Sequence, residues 1–480
     1  MISAKTKSID MTSGSITKKM IFFVLPLMAT NLLQFMYNAA DVMIAGLSSD
    51  PNAIGAVGSS GAYLSLIINI FIGFSVGADV VVARNIGAKD SDRISKSAHT
   101  AICMSVIFGL LGSLVGILLA RPMLLLMGYK GNLLSLALLY TYIYLLGLPF
   151  ASLTNFLSAI MRAKGDTKTP MYVLSFTGLL NVLLNLLFVL ALDMAVAGVA
   201  IATAISNLVS AAILFYILMK DQGDCKISLG KLRPSKTEFI EICHIGFPSG
   251  IQNAFFSISN MLIQSSLVRV DNMIAPPGSE YAPVIKGDSA ASSIENFAFA
   301  LMNPVAQAAS TFVSQNVGVG DYRRVKKIFG ISCILAVAVA ASVSTLILVF
   351  NVPLLALYGV SNAGDFLSKT AYDTALTRLW LRCALFFLIS LMNTTAGILR
   401  GLGRSVTSAV ISFVGTCIFR VIWVVTVFEY FMTLESIYAS YSITWILTSL
   451  TFLICIASVL RKKIKEQDGK PQKLNGALHP

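Results

Sequence analysis

Ile160-Met161-Arg162-Ala163-Lys164-Gly165 returns later in the chain as Ile398-Leu399-Arg400-Gly401-Leu402-Gly403. Asn155 precedes the first copy and Asn393 the second, both at one offset, 400 − 162 = 393 − 155 = 238. Upstream there is another echo. Ala83-Arg84-Asn85-Ile86-Gly87-Ala88-Lys89-Asp90 matches Ser314-Gln315-Asn316-Val317-Gly318-Val319-Gly320-Asp321, with Asn and Gly in register and a basic cluster after each. The chain is doubled, and what is doubled is apolar. Hydrophobic residues make up 56% of the 480 positions and charged residues 12%; mean hydropathy is +0.78. Both contents fall outside the soluble globular range and predict an all-α polytopic membrane protein.

A helix needs around 20 residues to cross a hydrocarbon core of about 30 Å. Twelve spans are predicted, near 20–47, 53–83, 97–119, 133–160, 170–192, 195–219, 243–268, 289–317, 329–351, 376–402, 406–430 and 436–459. They divide the chain into a six-helix lobe at 1–219, a polar cytoplasmic linker at 220–242, a second six-helix lobe at 243–460 and a basic tail at 461–480. Because six is even, both halves enter the membrane from one side, which makes a parallel repeat about an axis along the membrane normal. Transporters are often built this way, with a cavity between the halves.

The net charge of +13 is distributed by side. Lys and Arg cluster in alternate loops, from Lys18 and Lys19 through Arg84 and Lys89, Lys164 and Lys168, Lys231 and Lys236, and Arg323 to Lys327, to the tail after Arg461. Asp50, Asp193, Asp271, Glu280, Asp365 and Glu429 occupy the opposite loops. This is the positive-inside pattern of a plasma-membrane protein with both termini cytoplasmic, and it argues against nucleic acid as partner. The first apolar run contains Pro26 and Gln34 and continues as a full span, so no cleavable leader is expected. The seven cysteines have no paired spacing, and His99, His244 and His479 make no ligand motif. Neither a His-Glu metal motif nor a Gly-Xaa-Ser-Xaa-Gly elbow occurs, so an enzyme is not expected.

Inside the first span, Gln34, Tyr37, Asn38 and Asp41 recur at spacings of three, four and seven, forming one polar stripe on a helix. A carboxylate at the centre of a membrane helix costs roughly 2.5–3.5 kcal/mol, so Asp41 should face a protein interior or a wet cavity and serve as a proton or cation site. The alternative is a buried hydrogen-bond network. Counted from Lys19 at about 1.5 Å per residue, Asp41 lies roughly 33 Å up, in the outer half. Asn181 and Asn185 lie roughly 16 and 22 Å above Pro170, and Thr203 about 12 Å below the outer end of its span. These residues can converge on one pocket with a carboxylate, two amides and a hydroxyl, a set suited to a proton or a hard cation such as sodium. Pro26 weakens the same helix and offers a hinge, or only a passive kink. In the second half, Glu295 pairs with Arg420 or else faces a central cavity. An unpaired Arg420 would favour an anionic substrate. Asp79 is expected to pair locally with Arg84.

The doubled layout, Tyr37-Asn38-Ala39-Ala40-Asp41 followed by Gly46, the Asn85-Ile86-Gly87 and Asn316-Val317-Gly318 loops, Arg162 to Asp166 and Asn181 to Asn185 resemble the multidrug and toxic compound extrusion (MATE) family over essentially the whole chain. The DNA-damage-inducible F branch is the most similar. The resemblance implies a V-shaped pair of six-helix bundles that exports amphipathic organic cations in exchange for protons, with sodium open, and that needs no cofactor and acts as a monomer. The branch's ion-coupling residues map onto Gln34, Tyr37, Asp41, Asn181, Asn185 and Thr203. One position departs: the second span-five residue, usually Asp in the branch, is Asn185, which leaves Asp41 as the pocket's one acid and favours protons. Asn155, Gln252, Glu295, Met36 and Phe256 are the expected substrate contacts. A flippase for lipid or lipid-linked oligosaccharide is the second reading, kept open by Arg382 and Arg420.

Overall fold

The computed structural model describes residues 8–48, 53–127, 129–274, 282–362 and 364–469. Expectations resting on Asp50, Pro276, Pro277, Glu280, His479 and the tail beyond residue 469 lie outside them. All regular structure among the described residues is helical. The first half comprises α1 (Ile16–Ala45), α2 (Ala53–Ala88), α3 (Ser91–Leu126), α4 (Gly131–Leu146 continued by Leu148–Ala163), α5 (Lys168–Leu186 continued by a π turn, Leu187–Ala191) and α6 (Ala195–Met219). The second comprises α7 (Lys236–Ile274), α8 (Pro283–Val319), α9 (Tyr322–Val349), α10 (Phe366–Cys383 continued by Phe386–Gly401), α11 (Ser405–Ser412, then through two π turns to Phe431) and α12 (Leu434–Asp468).

Eight single helices and two bent pairs are long and apolar enough to cross a membrane. The other two of the twelve, α7 and α8, are longer still but carry buried polar groups such as Gln252, Asp288 and Glu295. Two sequence boundaries shift. Residues 236–242, expected in the linker, already form the first turns of α7, and the expected tail is helical as far as Asp468. What remains of the linker is tied to α3, where the His99 ring accepts from the Ser228 N–H at 3.0 Å.

One offset does not carry the whole repeat. Pro26 matches Pro248 at 248 − 26 = 222, Asn85 matches Asn316 at 316 − 85 = 231, and 238 holds only from Asn155 onward. The added residues fall at the outward ends, where chain length is least constrained by packing. Equivalent spans bend alike: α4 by 46° at Gly147 and α10 by 50° at residues 384–385. Pro149 accounts for the first bend because it has no N–H to give the preceding turn.

Chain order and packing part company on the cytoplasmic side. Met20, Phe23, Val24 and Leu27 of α1 belong to the second half's core with Phe312, Val313 and Ile398. Ile242 and Ile245 of α7 belong to the first half's core with Val81, Ala98 and Ile160. The two halves therefore interlock there through α1 and α7, beyond what a division at 219 and 243 conveys. Backbone meets backbone at the seam. A Cβ on Gly87 would lie 1.9 Å from the Gln315 carbonyl oxygen, and one on Gly318 would lie 2.0 Å from that of Arg84.

An N-terminal strap crosses this seam. Ile9 N donates to Gly165 O at 3.1 Å in the first half, while Asn316 Nδ2 and Arg324 Nη2 of the second donate to Met11 O and Ser13 O at 3.1 and 2.7 Å. Its Asp10 stays ionised at physiological pH. Burial raises this carboxyl, but hydrogen bonds from Ser13 and Thr12 and the Lys19 ammonium bring it down to about 2.

Candidate functional site

Asp41 is buried at the α1–α5–α6 junction. Asn185 Nδ2 donates to Asp41 Oδ1 at 2.5 Å and approaches Asn181 Oδ1 at 3.3 Å; Asn181 Nδ2 in turn donates to Thr203 Oγ1 at 3.3 Å. The carboxylate, the two amides and the hydroxyl meet in one pocket, as the helix rise implies. Asn185 Oδ1 is buried with no hydrogen-bond partner. That is an open acceptor beside a carboxylate, a position for a proton donor or a cation. The π turn of α5 begins two residues after Asn185, and such turns frequently mark functional positions in helices. Sequence reasoning missed Tyr140 and Tyr144 of α4, which lie near enough to interact electrostatically with Asp41.

The rest of the polar stripe is divided. Tyr37 packs on Gly178, where a Cβ would fall 1.8 Å from the ring, and its hydroxyl donates to Ser175 O at 3.1 Å. It fastens α1 to α5 beside the pocket. Gln34 does not join the pocket: with Asn38 it lines a cavity of about 700 Å³ between the halves. Below it on α1, the Thr30 hydroxyl donates to Pro26 O at 2.8 Å; α1 runs through Pro26 as one helix.

Asn155, Gln252 and Phe256, expected as substrate contacts, line the cavity. Met36 does not; it lies half-exposed on another face of α1. Glu295 does not either. It is fully buried in α8, with Arg378 Nη2 at 2.7 Å and Arg382 Nη1 at 2.8 Å, while Arg378 Nη1 also bonds Asp288 at 2.5 Å. Glu295 is thus a buried counter-ion of Arg378 and Arg382. Its partner is not Arg420, which lines the cavity and, among the described residues, hydrogen-bonds the side chains of Ser259 and Asn260, at 3.2 and 3.4 Å. Asp79 also departs from expectation. Its partners are Arg162 at 4.0 Å and the Thr311 hydroxyl at 3.0 Å, because Arg84, five residues away, lies off the i+4 register.

Replacing Glu295 with Gln removes the one carboxylate between two buried guanidiniums. Breaking a buried ion pair from one side costs about 3–5 kcal/mol. The melting temperature of Glu295→Gln in detergent is expected to fall by several degrees, whereas a substrate-contact role would leave it unchanged.

The MatE family model matches residues 26–187 and again 248–426, once in each half. The chain belongs to the MatE family. This MatE chain is 27% identical to the "Probable multidrug resistance protein NorM" of Thermotoga maritima over 405 residues, 83% of each chain. Its fold matches an outward-facing multidrug resistance MATE transporter with a TM-score of 0.86 at 20% identity, covering 96% of this chain and 100% of that one. A MOP-superfamily transporter of Pyrococcus furiosus matches with a TM-score of 0.86 at 21% identity, covering 96% and 99%; its binding pocket is described as of reverse polarity, suggesting a different function. The twelve-helix, V-shaped arrangement is that of MATE transporters, and the protein is a multi-pass protein of a bacterial-type plasma membrane.

Proposed function

We propose that the protein is a secondary-active exporter of small molecules, working as a monomer by alternating access and driven by protons that load Asp41. The observation that carries this is the separation of two sites along one helix. Asp41 is sealed in the first-half pocket, whereas Gln34 and Asn38 of the same α1 line the central cavity. A change of charge at Asp41 alters the cost of burying α1 against α5, and the same helix forms part of the cavity wall. Pro26 lies where α1 passes into the second half's core, so a bend there changes how the halves meet. A proton entering down a 100 mV potential supplies roughly 2.3 kcal/mol. Reciprocal linkage between pocket and cavity is sufficient for exchange.

The relatives named for multidrug resistance support efflux as the direction and xenobiotics as cargo. Sodium is the competing ion, since the pocket offers several oxygens. The expectation of cationic cargo fits the cavity poorly, because its charged lining is four Arg and one Asp. That lining also favours the second reading, a flippase for phosphate-bearing lipids.

Proteoliposomes of the wild type loaded with ethidium or 5-carboxyfluorescein test the coupling. An imposed inward proton gradient is expected to accelerate efflux of one dye, and an inward sodium gradient is not. Sodium-driven efflux would place a metal ion at Asp41. Gradient-independent leakage from folded protein would reject secondary-active export.

A further inference from the structure

We propose that the second-half wall of the cavity is an anion subsite, so that the cargo is an amphiphile carrying a carboxylate or phosphate; this deepens the exporter reading and rests on it. The repeat itself supplies the argument. Arg162 of α4 and Arg400 of α10 are equivalent at the 238 offset, and both line the cavity. In the first half Arg162 has a carboxylate, Asp79 of α2, at 4.0 Å. The equivalent of Asp79 at the 231 offset is position 310 of α8, which is Ser310. Ser310 lines the cavity, and its hydroxyl is buried with no partner; Arg400 is left with Gln252 Oε1 at 3.3 Å and an unpartnered Nε. Arg162 Nε is likewise without a hydrogen bond, so the asymmetry is one of charge: an acid stands beside the arginine in one half and a serine takes its place in the other.

Arg420 repeats the pattern higher on the same wall. It is only 2% exposed, its Nε has no partner, and among the described residues no acid pairs with it. Arg382 and Arg420 converge on one ring, with their Cζ atoms 3.8 and 4.1 Å from the Tyr441 centroid. Glu295 meets Arg378 and Arg382 through one oxygen, Oε2, and makes no pair with Arg420 among the described residues. Cation–π contact recovers less than burying an uncompensated guanidinium costs. A bound anion resolves both deficits, because guanidinium groups hold carboxylate and phosphate with charge-assisted, often bidentate hydrogen bonds. Phe256 and Phe299 on the same cavity supply the apolar surface for the rest of the cargo.

The test uses full-length protein and matched dyes. Binding is read in detergent by quenching of tryptophan fluorescence, since Trp445 lines the cavity, and transport is read in proteoliposomes. Wild type is expected to bind 5-carboxyfluorescein and to take ethidium weakly or not at all. Arg400→Gln and Arg420→Gln are expected to weaken carboxyfluorescein binding about tenfold or more, the loss of one charge-assisted bond. Ser310→Asp restores the acid that the first half possesses, and should lose the anionic dye while leaving ethidium unimpaired or improved. Fluorescent phosphatidic acid in the bilayer, followed by dithionite quenching, distinguishes a lipid headgroup from a free anion, and movement of either supports the subsite. Anion binding without gradient-driven transport keeps the subsite and removes the exporter. Ethidium binding by wild type with carboxyfluorescein and phosphatidic acid both ignored, or anion binding indifferent to all three substitutions in proteins of wild-type melting temperature, overturns it.

Discussion

Asp41→Asn is expected to abolish proton-driven efflux, lowering its initial rate at least a hundredfold, to the leak of empty vesicles, while the protein keeps its fold and cargo affinity. Asn is nearly isosteric with Asp and can still accept the hydrogen bond from Asn185 Nδ2, so the packing of α1 against α5 has no reason to fail. What disappears is the ability to change charge. Among the described residues the pocket holds no second acid that could substitute: its other members are Asn181, Asn185 and Thr203. Dye exchange at equal concentrations on both sides, which requires cargo movement without a driving gradient, should persist in the variant. Gradient-driven efflux at half the wild-type rate would place coupling elsewhere, and loss of binding together with transport would make Asp41 a structural residue.

That pocket was legible because helix rise converts residue number into depth, and four polar residues on three spans came out deep enough from the cytoplasmic side to converge on one outer pocket. Depth needs only a count along the chain. Partner choice among buried charges needs helix rotation as well, which spacing does not supply across spans. Glu295 therefore seemed suited to Arg420, whereas α8 turns it toward Arg378 and Arg382 on α10. Gln34 shows the same limit: seven residues from Asp41, it shares the stripe, yet the stripe is wide enough to end in two different compartments. The doubled layout was readable from two echoes, although their offsets differ, 231 and 238, because residues are added at outward ends, where packing constrains chain length least. Interlocking of α1 and α7 was not readable at all. Apolar spans present similar residues to lipid, to their own half and to the opposite half, and only packing separates the three.

Gly87→Val is expected to prevent closure of the cytoplasmic side. The added Cβ would stand 1.9 Å from the Gln315 carbonyl oxygen, 2.7 Å from its carbon and 2.9 Å from its Cα. All three are backbone atoms of α8, so no rotamer change relieves the clash, and α2 and α8 must separate. Interfaces of packed helices shift between discrete arrangements more readily than they stretch, so the relief is an opening of the seam. Spin labels at the cytoplasmic starts of α3 and α9 should report a distance longer by several ångströms than in wild type, roughly a side chain's thickness at each helix. Gradient-driven transport should fall at least tenfold, because a transporter held open on one side cannot complete its cycle. The α2 control is Gly58→Ala, whose Cβ meets nothing within 4 Å and which should behave as wild type. An unchanged spin-label distance in a folded Gly87→Val protein would mean that the seam is softer than its backbone contacts imply. A lengthened distance with transport intact would mean instead that this closure is not a step in the cycle.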